Sequence, residues 1–96
     1  VAKKKTIQEQ FEDFDKARPE VYDALLEFTL EAYWAGATIL GIGELYERVR
    51  WHFRFEKKMG EAFKLNNNYR SRYARKLMDN YPDLVGMFEL RTLKTD

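Results

Sequence analysis

The chain has no cysteine, one histidine, two prolines and five glycines in 96 residues. Without cysteine there is no disulfide framework, no thiolate zinc site and no thiol nucleophile, and a reducing cytoplasm suits such a protein. His52 and Glu56 have the i, i+4 spacing of two metal ligands if a helix runs through them, but a site needs at least one further donor. There is no phosphate-cradling glycine loop and no nucleophile placed beside a base. Carboxylate pairs such as Glu44 with Glu47 and Asp13 with Asp15 are what a chain rich in acids places on solvated faces. Neither an enzyme, nor a metal, nor a cofactor is expected. No apolar run approaches the roughly 20 residues of a membrane span, and the aliphatic cluster around Ile39 is broken by Gly41 and Gly43. The first lysines are not followed by the apolar segment of a signal peptide. These absences predict a soluble, cytoplasmic protein with no membrane partner.

What is present is chiefly apolar and charged. Hydrophobic residues make up 45% of the chain and aromatics 16%, enough for one core, so residues 1–96 are expected to form a single domain with 1–5 as a flexible basic arm. The net charge of +1 hides a segregation. Between Val1 and Leu40 five basic residues face eight acidic ones; between Arg48 and Met78 ten basic residues face only Glu56 and Glu61. Such asymmetry is expected of a surface that meets a polyanion.

Helical spacing accounts for most of the chain. Thr6 and Glu9 fit a capping box, and Ile7, Phe11 and Phe14 recur on one face, which predicts a first helix to about Asp15. Pro19 suits the first position of a second helix running to Ala35, with Gly36 as a left-handed stop. That helix carries a wide apolar arc including Val21, Leu25, Leu26 and Thr29, and its remaining surface is acidic through Glu20, Asp23, Glu27 and Glu31. A third helix follows a turn at Gly43 or Gly41 and runs through about His52, with Leu45, Val49 and either His52 or Phe53 turned inward.

Two stretches alternate instead. Aromatic and polar residues alternate from His52 to Lys58, which predicts a strand paired with residues 63–66 across a turn at Met59 and Gly60. Continuation of the third helix is the competing reading. Phe88, Leu90 and Thr92 share one face of an expected terminal strand.

Residues 64–81 give the most basic helix. An asparagine among Asn66, Asn67 and Asn68 caps it, and Pro82 stops it. At about 100° per residue Tyr69, Tyr73, Ala74, Leu77, Met78 and Tyr81 form an inward stripe, while Arg72, Arg75 and Lys76 are expected to face solvent together. Arginine's planar fork takes phosphate or guanine edges bidentately, so Arg72 and Arg75 lead the candidate contacts, with Lys76 beside them. Arg70 lies nearer the apolar arc. Asn67 and Asn68 stand where they cap the helix or meet adenine or phosphate. Lys57 and Lys58 at the turn, and Arg91 and Lys94 near the end, extend the basic surface. Trp51, Phe53, Phe55, Tyr69 and Tyr73 interleave with cations as in proteins that stack unpaired bases. Their regular spacing favours burial, and the tyrosines project away from the arginines, so duplex DNA is favoured over single strands.

The order of elements from Pro19 to Lys94, a scaffold helix, a second helix ending near Trp51 and His52, a basic helix from Asn68 and a terminal strand, resembles a winged-helix DNA-binding domain. That resemblance implies a mainly α fold with a small β element, three to four helices plus a short hairpin or terminal strand, and a recognition helix at about 68–81. A helix-turn-helix joins its helices by about 3 or 4 residues; here residues 53–66 intervene, which an inserted hairpin would explain. Residues 66–69 and 88–91 also resemble segments of small phage and bacterial proteins. The expected function is non-enzymatic binding of nucleic acid, chiefly double-stranded DNA, with docking of an acidic protein as the alternative. No heptad indicates an oligomeric state.

Overall fold

The computed structural model describes residues 4–60 and 64–88, and among these the chain forms four α-helices, a π-helical segment and the 3-10 turns Asn67–Tyr69 and Pro82–Leu84. The first helix, α1, spans Ile7–Ala17. Its capping box forms as the sequence implies: Glu9 N donates to Thr6 Oγ1 at 3.1 Å and Thr6 N donates to Glu9 Oε1 at 3.0 Å. The helix runs two residues beyond the expected Asp15. Arg18 alone separates it from α2, Pro19–Trp34, because the residue before proline is steered away from helical geometry. Gly36, at φ +97°, ends this helix in the left-handed region that glycine enters without a Cβ penalty.

Helix α3 spans Ile42–Trp51 and continues as one π-helical segment, His52–Glu56. In that segment the backbone bonds widen to five residues, Lys57 N donating to His52 O at 2.8 Å. A 3-10 turn at Asn67–Tyr69 leads into α4, Arg70–Asn80, and a second 3-10 turn, Pro82–Leu84, follows.

The expected β element is absent: among the described residues there is no strand. The hairpin foreseen over 53–66 is replaced at 52–56 by the prolonged third helix, the competing reading of that stretch. Alternation of aromatic and polar residues misled because five residues are too few to fix a period: a strand would set Phe53 and Phe55 on one face, whereas the helix turns Phe53 inward and Trp51 and Phe55 outward. The fold is therefore all-helical where it is described. Met87 and Phe88 belong to no strand, and the rest of the foreseen terminal strand lies outside the described residues.

The core sits where α4 crosses α1 and α3. Tyr73 is fully buried, with its ring 4.8 Å from that of Phe11 and nearly perpendicular to it. Tyr46, Leu25, Leu77 and Val49 are likewise closed off from solvent. Burying such side chains contributes about 1.5–3 kcal/mol each. Thr29 also lies inside, its hydroxyl returned to Leu25 O at 2.6 Å, the usual way for a helix to satisfy a buried threonine. The segment after α4 is tied back to the α2–α3 connection, where Leu40 N donates to Met87 O at 2.7 Å.

Candidate functional site

The cations of α4 were expected to share a solvent face, and the structure divides them. Arg72 is 7% exposed; its Nε donates to Gln8 Oε1 of α1 at 3.0 Å and its Nη1 to Asn68 O at 3.4 Å. Lys76 is ion-paired and hydrogen-bonded with Asp15 and lies 4.3 Å from the centroid of the Tyr22 ring. Both side chains reach across to α1 or α2 and fasten the basic helix to its neighbours. The periodicity of α4 places Arg72 beside Tyr73, at the border of the apolar arc; whether that border is covered depends on a helix distant in sequence.

Arg75 and Arg70 stay exposed. Five positions apart, they stand roughly 140° from each other around the axis, so one groove wall does not meet both. Arg70 folds back with Nε donating to Asn67 O at 3.3 Å. Arg75 borders a mixed-charge cleft of 410 Å³ between α1 and α4, with Glu12 and Asp79 beside it. Of the asparagines, Asn66 is the cap, its side chain accepting from Asn68 N at 2.8 Å. The Asn67 side chain accepts from Arg50, and the Asn68 carbonyl accepts from Arg72. Arg91 and Lys94 lie outside the described residues.

Arg50, not singled out from sequence, is a further fastener. It pairs with Glu47, donates to Leu65 O at 2.8 Å and stacks near the Tyr46 ring. Tyr46 completes that joint by donating its phenol to Asn66 O at 2.6 Å, and burial pushes the phenol's pKa above its ordinary value. Burial raises the Tyr73 phenol in the same way, with the Asp15 carboxylate adding to it.

What the end of α3 exposes is the more distinctive feature. Phe53, Tyr69 and Tyr73 are buried, as their spacing implied, whereas Trp51 is 59% exposed and Phe55 54%. Their rings lie 4.7 Å apart at 48°, and the Arg54 guanidinium sits 5.5 Å from the Phe55 centroid. Lys57 and Lys58 follow after Glu56, both exposed, with Lys58 at φ +57° in the left-handed region that non-glycine residues seldom occupy. The acids near this end are engaged elsewhere. Glu56 accepts from Arg48 at 2.6 Å and lies 3.1 Å from His52 Nδ1; the Arg48 hydrogen bond, then the His52 contact, hold its carboxyl below the usual range. Glu47 is held by Arg50. Two touching aromatic rings followed by two lysines offer stacking faces and positive charge together. Helical spacing carried the signal: read as a continued helix, Glu47, Trp51, Phe55 and Lys58 fall on one outward face.

His52 and Glu56 approach each other, but among the described residues no three histidine or carboxylate side chains are grouped to hold a metal ion. Nor is any described helix long and apolar enough to cross a membrane. Neither a known protein family, nor a curated protein, nor a solved structure matches the chain.

Proposed function

We propose that the protein is a small non-catalytic nucleic-acid-binding module that takes unpaired bases on Trp51 and Phe55. Phosphates then meet Lys57 and Lys58. The observation that carries this reading is the exposed contact of the two rings beside a lysine pair, since stacking on an aromatic face is open to every base and contributes about 1–3 kcal/mol per base. The preference moves from duplex to single strands because Arg72 and Lys76, two of the three α4 cations expected to face a duplex together, hold the fold together instead.

Fluorescence anisotropy with a labelled single strand and the matching duplex tests the proposal. Trp51→Ala and Phe55→Ala are each expected to weaken single-strand binding by about 5- to 150-fold, the stacking energy expressed as affinity. Two lysine contacts predict a log-log salt slope of about −1.4. Tighter binding of the duplex, indifferent to Trp51→Ala, would reject the platform. Equal displacement by poly-glutamate would assign it to an acidic protein.

A further inference from the structure

A second exposed aromatic group lies away from that platform. The end of α2 and the chain after α4 enclose an apolar furrow of 300 Å³ lined by Leu30, Tyr33, Trp34, Tyr81, Pro82 and Asp83, among others. Trp34 is 76% exposed, and Tyr33 and Tyr81 are each 41% exposed. Neither wall carries a cation. Helix α2 holds Glu20, Asp23, Glu27 and Glu31 and no lysine or arginine, and the stretch from Leu77 to Phe88 holds Asp79 and Asp83 and no lysine or arginine. Glu27 stands three and seven residues before Leu30 and Trp34, on the same exposed side of α2. The nearest cation along the chain, Lys76, is bound to Asp15.

We infer that this furrow docks a cationic, partly apolar peptide segment of a partner protein. A lysine or arginine of that segment enters among Tyr33, Trp34 and Tyr81, and its neighbouring apolar side chain rests on Leu30 and Pro82. Charge complementarity selects the occupant. Aromatic faces attract a cation through the negative potential above the ring, and Asp83 at the edge supplies a carboxylate for the same group. A phosphate backbone would meet the Asp83 carboxylate at the furrow and find no lysine or arginine in its lining. The furrow therefore takes a ligand of opposite charge to the one assigned to Trp51 and Phe55, and the module joins a basic protein to a polyanion.

The test uses the full chain carrying Trp51→Phe, in which Trp34 is the remaining tryptophan and its emission reports on the furrow. The probes are a short peptide in which arginine alternates with proline and leucine, the same peptide with glutamate for arginine, and tetramethylammonium. Saturable quenching or shift of Trp34 emission is expected with the arginine peptide alone, at micromolar affinity. In anisotropy with the labelled peptide, Trp34→Ala and Tyr81→Ala should weaken binding about tenfold or more, and Asp83→Asn about threefold. Amide shifts should localise to residues 30–34 and 80–85, a readout that does not depend on any variant folding. Equal binding of the glutamate peptide, unchanged affinity in Trp34→Ala with shifts elsewhere, or binding of tetramethylammonium without binding of the arginine peptide would each overturn the inference. Single-strand binding by Trp34→Ala separates this result from the fate of the Trp51 platform.

Discussion

Replacing Arg72 separates a side chain that holds the fold from one that holds a ligand. In Arg72→Ala the 3.0 Å hydrogen bond to Gln8 disappears, and a bond from a charged donor contributes about 1.5–3 kcal/mol. Gln8 is exposed and regains water, which places the loss near the lower end; the lost packing of the arginine stem returns part of the difference. A net cost of about 2 kcal/mol follows, and in a domain of this size that lowers Tm by about 8–16 °C. Arg72→Met keeps most of the stem and relieves the desolvation of a buried charge, so its cost should stay within about 1 kcal/mol. Circular dichroism at 222 nm, followed through heating and through urea, measures both. Each variant, assayed below its transition, should bind a labelled single strand within about twofold of the parent, since the charge faces α1 and not solvent. A parent-like Tm for Arg72→Ala together with lost affinity would refute this reasoning and return Arg72 to the ligand.

Three further perturbations address separate joints. Tyr46→Phe removes the phenol donated to Asn66 O and should cost about 1 kcal/mol in urea unfolding, with an unchanged m-value. Thr6→Ala removes one half of the capping box and should also cost about 1 kcal/mol, seen as earlier loss of helical signal on heating. Because Glu56 is held below its ordinary pKa, the unfolded chain takes up that proton more readily than the folded one. The stabilisation is therefore fully present above about pH 4.3 and is lost as pH falls through the lower folded value. Glu56→Gln should remove that part of the acid dependence, and carboxyl carbon shifts followed through the titration would check it.

Local rules made much of this fold legible. The capping box at Thr6, the proline start of α2, the glycine stop at Gly36 and the inward pair Leu45 and Val49 each follow from neighbours within one or two turns, while the choice between His52 and Phe53 stayed open until the structure buried Phe53. The same rules placed Tyr69, Tyr73, Ala74 and Leu77 in the core, but also Tyr81, which lies past the end of α4 and is 41% exposed. Arg72 and Lys76 were misplaced because their partners, Gln8 and Asp15, stand at the other end of the chain, and no periodicity within α4 reports which of its flanks another helix will cover. Trp51 and Phe55 were misread for a different reason. A short alternating run satisfies a strand and the far side of a helix equally, and only the added residue of the π-helical turn, which lengthens α3 to Glu56, decides between them. The charge segregation was read correctly as composition, but it did not reveal which cations were already spoken for.

The seating of α1 has a consequence for how the chain is made. Gln8 meets Arg72 across 64 positions and Asp15 meets Lys76 across 61, so α1 can rest on α2 as soon as that helix forms but lacks the rest of its seat until α4 has been made. At about 5–20 residues per second that interval lasts several seconds, during which Phe11 and Phe14 lack the Tyr69 and Tyr73 rings that meet them in the folded chain. A nascent chain halted before Arg70 should be open to protease within its first helix and available to a chaperone; one released past Asn80 should not.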